Sequence, residues 1–280
     1  MKIAFNTMMK NEEVLLESIL PIWKKYPVDV FIFYDDNSTD SSISVIEKHL
    51  ESGRYIIVND NLPKFNEGYH RQKMIDVSRD NDVDVVFSLD CDELLTSTIV
   101  NDFDNFLKIY ESTDLLLYWY NSVNGSISKY RNDSQYTNNF RSFVLPLKHT
   151  SGLDTTQWKY HTPRTPHVNL PKRTTKEYGV IHLQSINTRF YVIKQLWYKH
   201  HELVNYDHSV SFVNNRYDPV VNQLNFNETE IDPRMVDGIS FDPTVYDGLE
   251  KSKGYHKFIM DNYNEELVTF GKEYLTWKTT

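Results

Sequence analysis

Apolar and polar positions along the chain follow two periods, and the architecture changes where the period changes. Lys2 to Thr7 is a short apolar run that reads as a strand. From Asn11 to Tyr26, Val14, Leu15, Ile19, Leu20 and Trp23 recur at helical spacing, with Pro21 as a kink. Val28 to Tyr34 is apolar almost throughout, the mark of a central strand covered on both faces. The polar turn Asp35-Asp36-Asn37-Ser38-Thr39-Asp40 follows, with Thr39 or Asp40 as the N-cap of a helix to about Leu50. Tyr55 to Val58 is a third strand, Glu67 to Ser78 a third helix, and Val83 to Leu89 a fourth strand rich in β-branched and aromatic residues. This alternation predicts a parallel sheet with right-handed crossovers.

Beyond residue 95 the regular order stops. Thr96 to Tyr110 reads as one helix, with Val100, Phe103, Phe106 and Leu107 on one face. Asp114 to Tyr120 is an aromatic-rich strand, Asn124-Gly125 a hairpin turn, and Phe140 to Leu145 a strand that pairs with the first. Residues 148–177 read as loops, Tyr178 to Leu183 as a late strand and Thr188 to Leu203 as an amphipathic helix. Residues 214–247 read as irregular, and one or two helices fill Tyr255 to Tyr274. Neither a repeat nor a low-complexity linker divides the chain, which predicts one continuous globular domain.

Composition narrows the functional classes. A formal charge of −9 argues against nucleic acid or an anionic membrane surface as the main partner. Aromatic residues make up 14% of the chain, enough to supply amphipathic platforms for sugars or proteins as well as a core. The single cysteine, Cys91, excludes an intramolecular disulfide and fits a reducing compartment. With no apolar run of membrane-spanning length, and an N-terminus that leads straight into a strand, a soluble cytoplasmic protein is expected.

The candidate chemistry begins where the fourth strand ends, in Asp90, Asp92 and Glu93. Ligands of open α/β sheets bind beyond the carboxyl ends of the strands. Carboxylates there suit a hard divalent cation that keeps positions open for phosphate. Spacing alone decides nothing, because Asp82/Asp84 and Asp102/Asp104 share it; only Asp90/Asp92 follows an apolar strand. His182 stands at the end of the late strand, which sets it apart from His161 and His167, whereas His149, His200 and His201 read as surface positions.

Four motifs in order carry a family resemblance: Asn11-Glu12-Glu13 after the first strand, Asp35 to Asp40 after the second, Arg71 in the third helix, and Leu89-Asp90-Cys91-Asp92-Glu93. Together they resemble a GT-A glycosyltransferase of the family 2 type over about residues 1–120, with His182 beyond. Over its whole length the chain also looks like a glycosyltransferase encoded by a large chlorella virus, one similar to a xylosyltransferase of capsid glycans, which would place it in a host cytoplasm. The resemblance implies an α/β fold with a Rossmann-type, mostly parallel central sheet flanked by helices and a smaller mixed C-terminal half. Residues 1–95 would bind the nucleotide sugar and residues 96–280 the acceptor.

By the same resemblance the chain moves a sugar, such as xylose, from a UDP-sugar to a hydroxyl of an oligosaccharide or glycoprotein glycan, with inversion and with Mn²⁺ or Mg²⁺ as cofactor. Thr7, Glu12 and Asp36 would contact the uridine, Arg71 would clamp the diphosphate or base, and Asp90 would hold the ribose hydroxyls or a metal-bound water. Asp92 and His182 would ligate the metal, which would tie the two halves together. Inversion calls for a carboxylate base. Asp154, near Trp158, which could stack on the acceptor sugar, is the candidate and Glu177 the runner-up; the Glu-Asp pair usual in this region is absent. Two other classes stand beside this one: a haloacid-dehalogenase-type phosphohydrolase, whose Asp-x-Asp also follows an apolar strand, and a non-catalytic carbohydrate-binding protein on the same fold.

Overall fold

The structure, a computed structural model, describes residues 1–62, 65–133, 137–153, 163–206, 208–221 and 227–275. The alternation expected at the start of the chain is present. Strands β1 (Ile3–Met9), β2 (Val30–Asp35), β3 (Tyr55–Val58) and β4 (Val85–Ser88) pair in parallel in the order β3-β2-β1-β4. Helices α1 (Glu13–Trp23), α2 (Ser42–His49) and α3 (Glu67–Asp80) make the crossovers. β2 is buried at every position, which explains its unbroken apolar sequence. Alternate residues serve opposite faces. Phe5, Phe31, Phe33 and Phe87 pack with Trp23 of α1 and Val45 of α2. Ala4, Ile32, Tyr34 and Val86 pack with Met74 and Ile75 of α3. α1 continues through Pro21.

A second sheet holds six strands: β5 (Glu93–Leu95), β6 (Asp114–Val123), β7 (Ser126–Arg131), β8 (Phe140–Arg141), β10 (Lys172–His182) and β11 (Glu228–Glu230). Its order is β11-β7-β6-β10-β5, with β8 paired to β6. β6 and β7 form the expected hairpin, and Asn124 (φ 53°) and Gly125 (φ 70°) both take the left-handed conformation of its turn. The expected strand from Phe140 to Leu145 is divided. Its start pairs with β6, whereas β9 (Val144–Pro146) crosses to the first sheet and pairs antiparallel with β4. Periodicity shows that a segment is a strand, not which neighbour it takes. β10 begins six residues earlier than expected, because Lys172 to Glu177 is mostly exposed and carries no apolar signal. At Gly179 a Cβ would stand 2.4 Å from the Tyr120 ring and 2.9 Å from the Tyr118 carbonyl, so only glycine fits.

The helix expected over Thr96 to Tyr110 is two, α4 (Ser97–Asn101) and α5 (Phe103–Tyr110), broken at Asp102. α6 (Thr188–Tyr206) is as expected, three residues longer. The segment read as irregular begins inside α7 (Val210–Val221), whose Val213, Tyr217 and Val221 are buried along one face. Asn214, Asn215 and Pro219 are poor helix formers, and they hid it. α8 (Pro233–Val236), α9 (Leu249–Ser252), α10 (Tyr255–Asp261) and α11 (Lys272–Leu275) are short. The largest core cluster runs from Ile3 to Leu249 and draws on both sheets. Among the described residues no helix is long and apolar enough to cross a membrane.

Candidate functional site

The site lies beyond the carboxyl ends of β1, β2 and β4, where two loops are stitched together. Asn11 (φ 53°) accepts from the Thr39 amide through Oδ1 at 2.8 Å, and its own amide donates to Ser38 Oγ at 2.9 Å. The Glu12 amide donates to Ser42 Oγ at 2.8 Å, and Asp40 accepts from the amides of Glu13 and Ser42. Asp35 accepts from the Ser38 amide and from Asn59. Asp35 and Asp40 therefore brace the turn, in the way short Asx side chains do. Asp36 does not: it lines a cavity of about 600 Å³ together with Glu12, Arg71, Asp90 and Asp92. Burial raises the pKa of Asp36, and Lys10, 3.0 Å away, partly offsets it.

Alternating charges fix the turn after β4. Arg71 is buried; it donates to Glu67 and Asp90, each at 2.9 Å, and contacts Ser88 Oγ at 3.4 Å. Arg164 takes the other Asp90 oxygen at 2.5 Å and also reaches Glu93. Its guanidinium lies over the Trp119 ring, 5.1 Å from the centroid. Glu93, wholly buried, accepts from the Asp90 amide at 2.9 Å and from Trp119 Nε1 at 2.7 Å. It starts β5 and orients the cluster at the same time. Burial opposes the charge on Asp90, but Arg164 and Arg71 outweigh it and hold its carboxyl below the usual range. At Glu93 burial wins and its pKa rises.

Asp92 and His182 meet from different elements, with Nε2 3.5 Å from Asp92 Oδ2. Asn121 settles which nitrogen faces the carboxylate. Its amide nitrogen donates to the Trp119 carbonyl at 3.1 Å, which leaves Oδ1 facing His182 Nδ1 at 2.8 Å. The ring must donate through Nδ1, so in the neutral imidazole Nε2 turns its lone pair on Asp92. Two acceptors so close suit a cation between them, and the amide behind the ring is the support that metal-binding histidines use. Carboxylate plus imidazole suits Mn²⁺. Among the described residues no group of three or more His, Cys, Asp or Glu side chains could hold a metal ion. The pair would supply two ligands, and the remaining positions would fall to ligand oxygens and water. Burial opposes the charge of Asp92 too, but Lys194, 3.3 Å from Oδ2, together with His182 whenever its ring is protonated, holds the carboxyl far below the usual range.

Of the candidates named from sequence, Glu12, Asp36, Arg71, Asp90 and Asp92 share the cavity, and His182 stands behind Asp92. Thr7 is buried, with its hydroxyl 3.7 Å from Cys91 Sγ, and does not line the cavity. Glu12 is ion-paired with Lys253. Glu177 is exposed on β10 and does not line it either; its carbonyl accepts from Thr98. Asp154 lies outside the described residues. His200 and His201, read as surface positions, are drawn inward: His200 is fully buried and His201 lines the cavity. Sequence reasoning missed Arg164, in a loop with no periodic signal, and the α6 face of Phe190, Lys194, Trp197, Tyr198 and His201, whose helical spacing was there to be read.

What fold and site define is a mixed α/β protein with a charged, aromatic-walled cavity at a sheet end. No protein-family model matches the chain, and no curated protein sequence does. Among solved structures it is similar to TarS 1-349 of S. aureus in complex with UDP, at 11% identity over 95% of this chain and 82% of that one, with a TM-score of 0.48. A longer TarS chain of S. aureus matches at 12% identity and TM-score 0.49, and this chain, covered to 95%, spans half of its length (50%). GalNAc-T7 with UDP, GalNAc and Mn²⁺ matches at 10% identity over 78% of this chain and 54% of that one, with a TM-score of 0.43. Likenesses this distant carry no functional weight, and the chemistry of the site is read from the chain's own residues.

Proposed function

We propose that this chain is a GT-A-type glycosyltransferase that moves a sugar from a UDP-sugar to a hydroxyl of a glycan, with inversion. One observation carries the reading. Asp36 after β2, Arg71 in α3 and the Asp90/Asp92 pair after β4 are far apart in sequence, yet they line one cavity at the carboxyl ends of parallel strands. Residues 1–95 then hold the donor, and residues 96–280 form the acceptor side.

Asp36, the acid of its loop not used for bracing, accepts from the uracil N3–H or a ribose hydroxyl. Asp90, kept ionised by two guanidiniums, holds the ribose. Asp92 and His182 hold Mn²⁺ or Mg²⁺, which when bound supplies Lewis-acid neutralisation of the diphosphate leaving group. Asp154 takes the proton of the acceptor hydroxyl. Donor recognition is assigned to uridine, and UDP-xylose heads the sugars to be tried.

The phosphohydrolase alternative needs a free first aspartate as nucleophile. Here both oxygens of Asp90 are engaged by Arg71 and Arg164, which opposes it. The test is release of UDP from a panel of UDP-sugars, with glycan acceptors and with Mn²⁺ present or chelated. Acceptor-dependent, chelator-sensitive release is expected. Phosphate release from simple monoesters would give the site to a hydrolase, and UDP binding without turnover would leave a binding protein.

A further inference from the structure

The face that α6 turns on the cavity is aromatic or imidazole at every lining position but one: Phe190, Trp197, Tyr198 and His201 surround Lys194. The Lys194 side chain is 15% exposed, and its ammonium stands 3.3 Å from Asp92 Oδ2. That is the oxygen His182 Nε2 faces at 3.5 Å. A buried carboxylate needs a countercharge, and Lys194 supplies one. A divalent ion held by Asp92 and His182 would need that same oxygen, and two cations cannot share it without strong repulsion.

Four other cations that line the cavity sit on carboxylates other than Asp92. Arg71 is fixed by Glu67 and Asp90, and Arg164 by Asp90 and Glu93. Lys10 is on Asp36 and Lys253 on Glu12. Lys194 is the lysine set on the carboxylate that faces His182: among the described residues its one hydrogen bond is to Asp92, and a lysine is a point charge with rotatable donors on a flexible stem.

Resting on the glycosyltransferase reading, we propose that Lys194 is a stand-in cation. It neutralises Asp92 while no metal is held, and it moves onto the diphosphate when metal and nucleotide enter. The same side chain then opposes metal in the empty site and favours nucleotide in the loaded one, so removing its charge has opposite effects on the two ligands.

The experiment titrates Mn²⁺ alone, followed by the EPR signal of the free ion, and then UDP at saturating Mn²⁺ by calorimetry. It compares wild type with Lys194→Met and, as a second neutral variant in case that one fails to fold, Lys194→Gln. The expected result is Mn²⁺ bound at least about tenfold tighter and UDP at least about tenfold weaker in the neutral variants. Mn²⁺ affinity unchanged or reduced would overturn the stand-in role, and UDP affinity unchanged would overturn the transfer to phosphate. If wild type itself binds neither Mn²⁺ nor UDP, the glycosyltransferase reading has failed before Lys194 is in question.

Discussion

Asn121 never touches a substrate in this reading, yet it decides how well His182 can serve. It sits on β6, next to β10, and its Oδ1 accepts from His182 Nδ1 at 2.8 Å. Replacing it by leucine, which has the same branching but larger methyl groups, frees the ring to choose the other tautomer and to rotate. Loss of such a supporting partner costs about 10- to 100-fold in metal affinity, or roughly 1.4–2.7 kcal/mol. The substitution also leaves a buried Nδ1–H unpaired, for about 1–3 kcal/mol of stability. Stability and affinity are therefore measured separately, by urea unfolding without metal and by calorimetric titration of Mn²⁺ in the presence of UDP well below the unfolding transition. Asn121→Asp supplies the control, because its carboxylate still accepts from Nδ1 and should hold Mn²⁺ close to the wild-type affinity. If Asn121→Leu is less stable but binds Mn²⁺ as wild type does, Asn121 is only a packing residue and His182 is not a ligand.

Three further outcomes are expected. UDP should stabilise the protein more than GDP or CMP in thermal shift, by about 2.7 kcal/mol at a hundredfold excess over its Kd; equal shifts with GDP would remove Asp36 from base recognition. Asp154→Asn should lower turnover roughly a hundredfold or more while UDP affinity stays the same, and normal turnover would place the base elsewhere. His70, stacked on Tyr34 with neither ring nitrogen hydrogen-bonded among the described residues, has its pKa pushed down by burial to about 4. Its unfolded counterpart takes up a proton at about 6.5, so stability present above that pH falls towards pH 4, by up to about 3 kcal/mol from this group. His201 acts in the same direction; if His70→Phe leaves the slope between these pH values unaltered, the enclosed neutral ring is not its source.

The first half of the chain was legible because its signals are local and agree. An unbroken apolar run such as β2 is buried on both faces, and an acid-rich turn following it has one place to go. Arg71 shows the limit: helical spacing places it equally well on a solvated face beside Lys73, and only the fold brings it to Asp90. The second half was harder for a different reason. Phe140 to Leu145 serves two sheets, half of β10 is exposed, and α7 is written in asparagine and proline. Lys194 was readable in principle as one position of a helical face, but nothing in the sequence said that this face would meet Asp92.

The placement of Asp92 also changes what a metal is expected to do. From sequence, an ion shared by Asp92 and His182 was to hold the two halves together. The backbone already does so. β4 ends in the first sheet, β5 belongs to the second, and Asp92 lies in the turn between them. In the ladder of β5 and β10, Glu93 is opposite His182, and the Leu183 amide donates to the Asp92 carbonyl at 2.8 Å. α1 braces the same short strand, with Trp23 Nε1 donating to the Glu93 carbonyl at 3.0 Å and Tyr26 accepting from the Leu95 amide at 2.9 Å. The Asp92–His182 separation is thus set by main-chain bonds that exist without any ion, and the charge between them is balanced by Lys194. Binding energy is not consumed in closing the halves, so it remains available for the diphosphate. Chelation should accordingly lower the melting temperature only by the amount that simple ligand linkage gives, with no change in the cooperativity of unfolding. A second, earlier transition on chelation would mean that the ion, not the ladder, joins the sheets.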